Sequence, residues 1–254
     1  MSVRPRASRE KTRPSIFWVL AGIVVPVVGL LARIEIVGGE KLPRKGAYVL
    51  APNHYSEIDP LIVAVAVWRL GRAPRFMAKE SLFRIPVLGW ALRATGMVPV
   101  ARASTSSGAA QTIEASRRLV DEGRGVIVYP EGTLTRDPDM WPMRGKTGAA
   151  RLALAGGLPV IPVAHWGTQQ IMGRYSKKIN LWPPRKHVRL VIGDPVDLSD
   201  LRATGSQPAT LTRATTRVMD AITALLASLR QETPPAERWN PAEHAQKETG
   251  RFES

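Results

Sequence analysis

From Ile34 to Ile192 short apolar runs alternate with stretches of helical period, and that alternation points to an α/β architecture. The runs Ile34–Val37, Ala47–Ala51, Arg75–Ala78, Met97–Val100, Gly125–Tyr129, Val160–Ala164 and Val188–Ile192 read as strands. Between them, Pro60–Leu70 and Pro86–Ala94 are apolar on most faces, whereas Ala109–Glu122 sets Ile113, Leu119 and Val120 against Glu114, Arg117 and Arg118. Gly145–Ala155 is small and apolar. Near the end, Leu211, Val218, Ile222, Leu225 and Leu229 recur at helical steps, giving an amphipathic helix that Pro234-Pro235 should end. The expected fold is a central mixed, largely parallel sheet flanked by helices, without internal repeats.

Ahead of the first strand, Arg4, Arg6, Arg9, Lys11 and Arg13 give way to the uncharged run Ile16–Ala32. A spanning helix needs about 20 apolar residues and tolerates roughly 17, so this run sits at the short limit, and Pro26 and Gly29 should bend it. Arg33 and Ile34 stand where a signal peptide would carry a small-x-small cleavage site. Arg33, Lys41, Arg44 and Lys45 make the second flank as basic as the first, which removes the charge asymmetry of a spanning helix. The expectation is a membrane-associated apolar helix dipping into one leaflet, held by basic residues and Trp18. The chain of 254 residues has room for one substantial core. It divides into a membrane-association segment at 1–33, an α/β domain at 34–232 and a polar tail at 233–254 that runs over the surface.

Thirty-six Lys and Arg against 21 Asp and Glu leave a formal charge of +15, which calls for an anionic partner such as a phospholipid surface or a phosphorylated substrate. Nucleic acid fits poorly, because aromatic residues are only 6% of the chain and the basic residues are dispersed rather than interleaved with them. With no cysteine there is no disulfide framework or thiolate ligand, and His54, His165, His187 and His244 are too scattered for a zinc site, so no metal is expected. His165, His187 and His244 read as structural or solvated. Gly145-Lys146-Thr147 resembles a phosphate-loop fragment, but Trp141, Pro142 and Met143 cannot form its backbone cradle.

The chemistry concentrates at Asn53-His54-Tyr55-Ser56-Glu57-Ile58-Asp59. Five steps at ~100° would put His54 and Asp59 about 140° apart on one regular helix, so they cannot meet that way. A strand ending at Ala51-Pro52, a turn, and a helix starting near Ser56 or Asp59 with Pro60 in its first turn would bring them together. Asp59 could then hold one imidazole nitrogen and leave the other to take a proton from a hydroxyl.

These residues resemble the His-x4-Asp block of the glycerophospholipid acyltransferase family typified by lysophosphatidic acid acyltransferases. Three further blocks follow in family order. Gly96–Arg102 is similar to the second, Tyr129–Arg136 to the Glu-Gly-Thr third block, and Leu158–Val163 to the apolar fourth. The resemblance spans roughly Ile34 to Ile192. It implies transfer of a fatty acyl group from acyl-CoA or acyl carrier protein, as co-substrate and without a separate cofactor, to a lysophospholipid hydroxyl. The preferred acceptor is 1-acylglycerol 3-phosphate; glycerol 3-phosphate, another lysophospholipid and a lipid-linked glycan are alternatives, as is a non-catalytic protein that binds anionic lipid.

On this resemblance His54 is the general base and Asp59 its partner, at a membrane surface facing the cytoplasm. Substrate contacts are expected from Lys79, Arg102, Glu131, Gly132, Thr133, Arg136, Arg144 and Lys146. Glu131 repels phosphate, so its expected part is to position an arginine or bind glycerol hydroxyls. The sequence departs from the third block at Leu134, where the family commonly carries an arginine. The second block has Val98-Pro99 in place of Phe-Ile.

Overall fold

In the computed structural model residues 15–100, 106–203, 205 and 207–246 are described, with backbone alone at 79, 100 and 106–109. The N-terminal basic cluster, Arg102 and Phe252 lie outside them. The architecture is α/β: a mostly parallel sheet flanked by helices.

All seven expected strands form. They are β1 (Ala32–Val37), β2 (Tyr48–Pro52), β3 (Met77–Lys79), β4 (Val98–Val100), β5 (Gly125–Ile127), β6 (Val160–Trp166) and β7 (Lys186–Ile192). The main sheet has the order β1-β7-β6-β2-β5, and β3 and β4 pair separately. A parallel bridge from Phe76 to Ile127 ties that pair to β5. Every pairing is parallel except β6 with β7.

The helices are α1 (Ile16–Leu31), α2 (Asp59–Arg69), α3 (Pro86–Ala94), α4 (Ser106–Glu122), α5 (Gly148–Gly156), α6 (Ser199–Arg202) and α7 (Pro208–Arg230). Strand alternation distributes them over the two faces of the sheet. Val49 and Ala51 of β2 pack with residues of α4, α5 and α7, while Tyr48 and Leu50 on the opposite face pack against Val63, Ala66 and Val67 of α2. All five residues of β2 are buried, as expected for a strand covered on both faces.

α1 is continuous through Pro26 and packs Val28 against the Ile58–Val65 region and β1. Its 16 residues reach roughly 24 Å at 1.5 Å each. Among the described residues no helix is long and apolar enough to cross a membrane. α1 leaves Trp18, Val19, Ile23, Val27 and Leu30 exposed.

Several boundaries differ from expectation. β5 stops at Ile127, because the chain turns at Tyr129-Pro130, where the Gly132 N–H donates to the Tyr129 carbonyl. α5 begins at Gly148 rather than Gly145, since the Lys146 N–H is held by the Pro130 carbonyl. α7 closes at Arg230, ahead of Pro234-Pro235, with Gln231 in the left-handed region at φ 55°. The tail then docks: the Trp239 carbonyl accepts the Arg144 N–H at 2.9 Å, and the Trp239 ring stacks on His244.

Candidate active site

Three parallel strands end together, and the segments leaving their carboxyl ends build the site: His54 after β2, Glu131 after β5 and Thr168 after β6. The turn between β2 and α2 has the shape required for a His-x4-Asp contact. The Asp59 N–H donates to the Ser56 carbonyl, and Asp59 is the first helical residue, with Pro60 behind it. A carboxylate there is favoured by the unpaired N–H groups of the opening turn.

Asp59 Oδ2 accepts the Tyr55 and Ser56 N–H groups at 2.8 Å each and faces His54 Nδ1 at 3.0 Å. Its other oxygen accepts the Thr168 hydroxyl at 2.6 Å. Burial alone would raise this carboxyl. The His165 and His54 rings and the Thr168 hydroxyl outweigh burial and hold it below its ordinary 3.8. Burial pushes His165 down as well, toward its neutral form, so we attribute the direction at Asp59 chiefly to the hydrogen bonds.

His54 is thereby left with Nε2 as the ring nitrogen not held by Asp59. Its ring stacks on Tyr129, with centroids 4.1 Å apart. Both of its backbone polar groups are taken by the loop after β5. The His54 N–H donates to Glu131 Oε1 at 3.0 Å, and the His54 carbonyl accepts the Thr135 N–H at 2.6 Å.

That placement gives Glu131 a structural part. Its side chain is 0% exposed, with Oε2 accepting the Met143 N–H at 3.0 Å. Through these two contacts it fastens the His54 turn to the 131–143 loop. Burial raises its carboxyl to about 8 despite the two N–H donors.

The other expected contacts scatter. Gly132 is exposed at φ 70°, with the Lys146 side chain 3.1 Å from where a Cβ would stand. Thr133 is half-buried and Arg144 exposed. Arg136 is buried and lines a cavity of about 230 Å³ with Pro138, Arg174, Tyr175, Trp239 and Gln246, a lining that does not include His54. Leu134 is buried, so the departure from the third block removes a charge from a position that here faces the interior. The Lys79 side chain and all of Arg102 lie outside the described residues.

Thr168 escaped the sequence reading, as did the pairing of Asn53 with His165, a histidine read as structural or solvated: the His165 N–H donates to Asn53 Oδ1 at 2.9 Å, Asn53 Nδ2 donates to the His165 carbonyl at 3.1 Å, and His165 Nε2 donates to the Asn53 carbonyl at 3.0 Å. This clasp joins the ends of β2 and β6 beneath His54. A signal for it existed, since Asn53 and His165 each end an apolar run, but only the β2–β6 register pairs them. His187 faces Glu35 at 2.8 Å on the sheet edge.

Among known proteins, the family model described as Acyltransferase matches residues 33–166, more than half of the chain. The chain is 33% identical over 165 residues to the chloroplastic 1-acyl-sn-glycerol-3-phosphate acyltransferase BAT2 of Brassica napus, covering 65% of this chain and 45% of that protein. It is 32% identical over 136 residues to the 1-acyl-sn-glycerol-3-phosphate acyltransferase of Borreliella burgdorferi, covering 54% and 52%. The chain thus spans about half the length of these curated relatives. The crystal structure of the 1-acyl-sn-glycerophosphate acyltransferase PlsC from Thermotoga maritima shares the fold, with a TM-score of 0.61 at 22% identity over 87% of this chain and 82% of that one. With the family match running from β1 through β6, and so across the His54–Asp59 turn and the Glu131 loop, the chain belongs to the Acyltransferase family.

Proposed function

We propose that this protein moves a fatty acyl group from the thioester of acyl-CoA or acyl carrier protein to the free hydroxyl of 1-acylglycerol 3-phosphate, giving phosphatidic acid. The observation that carries the reading is the 3.0 Å contact between His54 Nδ1 and a buried Asp59 that is fixed from three other donors. His54 Nε2 accepts the proton of the acceptor hydroxyl as its oxygen attacks the thioester carbonyl carbon. Asp59 stabilises the imidazolium that forms. The tetrahedral intermediate collapses with cleavage of the C–S bond, and the thiolate leaves with the proton carried by His54. Protein groups perform each step, and the thioester enters as co-substrate.

The basic residues around the site supply attraction for the acceptor phosphate, with Arg136 in the Glu131 loop and Arg144 and Lys146 just after it. α1 lies on the bilayer with its exposed apolar residues in the interface, and the site faces the cytoplasmic side, where acyl-CoA is available.

The test is thiol release by the purified full chain given acyl-CoA and, in parallel, 1-acylglycerol 3-phosphate, glycerol 3-phosphate and a neutral lysolipid. Thiol release coupled to phosphatidic acid formation with the first acceptor is the expected result. Turnover with the neutral lysolipid alone would contradict the phosphate part of the reading, and no release with any acceptor would contradict the whole.

A further inference from the structure

We infer that the loop between β6 and β7 carries a second membrane-insertion element, built from Ile179, Leu181 and Trp182 with Lys177, Lys178 and Arg185 around them, beside the C-terminal end of α1. The inference rests on the membrane-surface reading above and adds a contact site remote in sequence from the N-terminal segment.

The loop is inverted relative to an ordinary surface loop. Its backbone is pinned from within by hydrogen bonds. The buried Lys186 ammonium donates to the carbonyls of Asn180 at 2.6 Å and Pro183 at 2.8 Å. The Asn180 N–H donates to the Ile171 carbonyl at 2.7 Å, and the Trp182 N–H to Asn180 Oδ1 at 3.1 Å. On this pinned backbone the apolar side chains stand outward, Leu181 66% and Trp182 80% exposed, with Ile179 also exposed. Lone exposed apolar residues are common on protein surfaces; three within four positions on a hydrogen-bonded loop are not explained that way.

Location and charge choose the occupant. The Arg185 N–H donates to the Leu30 carbonyl at 3.1 Å, which seats the base of the loop on the last turn of α1, where Leu30 is 71% exposed. The apolar surface of α1 therefore runs on toward Leu181 and Trp182 instead of ending at Leu30. Lys177, Lys178 and Arg185 are exposed, with no acidic residue between Ile171 and Arg189. An apolar tip with an indole ring inside a basic collar suits the interface of a bilayer containing anionic lipid: the ring and leucine enter the acyl boundary, and the ammonium groups stay among the phosphates. The loop also begins at the site's own supports, since Thr168 holds Asp59 and the Met172 carbonyl accepts the Ser56 hydroxyl at 2.7 Å. Seating it on the membrane would set the His54 turn at a fixed height above the lipid.

The experiment is flotation of the purified full chain with vesicles of phosphatidylcholine alone and of phosphatidylcholine with phosphatidylglycerol. Wild type is compared with Leu181→Ser/Trp182→Ala, Lys177→Glu/Lys178→Glu and the rescue variant Trp182→Phe, each checked for native circular dichroism. The apolar double variant should bind both vesicle types about tenfold more weakly, and Trp182→Phe should recover most of that loss. The charge variant should lose about tenfold or more on the anionic vesicles only, given about 1 kcal/mol per basic residue near such a surface. Thioester cleavage with detergent-dispersed acceptor should be unchanged in all of them. Equal vesicle binding by wild type and both double variants would overturn the inference, as would a wild type that fails to float. Because binding is read without turnover, absence of acyl transfer would count against the proposed function and leave this result standing.

Discussion

The His54 N–H donates to Glu131 Oε1 at 3.0 Å, so the residue that leads the first sequence block is fastened by the residue that leads the third. Glu131 also accepts the Met143 N–H, and no solvent reaches it. The two blocks are thus one mechanical unit.

Replacing Glu131 by Ala leaves two buried N–H groups without acceptors. About 1–3 kcal/mol of stability should be lost for each, together with most acyl transfer, as His54 loses its backbone support. Glu131→Gln keeps one acceptor and should fall between wild type and Ala. Urea unfolding midpoints measured beside turnover check both.

Glu131 also predicts a pH dependence of folding. Its folded carboxyl is raised to about 8, against an ordinary 4.5, so the folded protein holds a proton that the unfolded chain releases. Its contribution to stability is therefore complete below about 4.5 and declines as pH rises toward about 8. Melting temperatures of Glu131→Gln should lack that component of the decline.

Asp59 gives the opposite sign. Its folded carboxyl lies below 3.8, so its contribution is present above that value and lost as pH falls through the folded value. Asp59→Asn should remove this acid-side loss and lower kcat by about two to four orders of magnitude, because the imidazolium at His54 is no longer stabilised. Acid titration of unfolding and steady-state kinetics read the two effects separately.

Thr168 acts on the reaction through Asp59. Thr168→Val keeps the volume and removes a hydrogen bond to a charged oxygen, so kcat should drop roughly ten- to hundredfold with KM little changed. The acid limb of the pH profile should move to higher pH as Asp59 loses a donor. Thr168→Ser should restore both, which a purely structural role for the threonine methyl group would not allow.

Leu134, the position at which the sequence departs from the expected third block, is buried. Leu134→Arg should cost about 3 kcal/mol or more by forcing a guanidinium into that environment, with no tighter acceptor binding. A lowered melting temperature with unchanged KM is the expected pair of results.

Local pattern carried much of this structure. All seven strands follow from short apolar runs, and α3 keeps the bounds expected from Pro86 and the apolar stretch after it. The strand–turn–helix path from Pro52 to Asp59 followed from residue spacing and Pro60. Contacts distant in sequence were not legible: Thr168 reaches Asp59 across 109 positions, and the Asn53–His165 clasp needs the β2–β6 register. The antiparallel β6–β7 pair likewise depends on how the chain returns through residues 167–185. The complete burial of Glu131 was not legible either, because it depends on how the loop after β5 packs over the His54 turn.

The central claim is that His54 takes the acceptor proton. It is tested most directly by acyl-CoA cleavage coupled to phosphatidic acid formation in His54→Ala and His54→Gln, with native folding verified for each. The account predicts a loss of at least about a hundredfold in kcat for both, with KM for acyl-CoA little altered. Full turnover in either variant would contradict it.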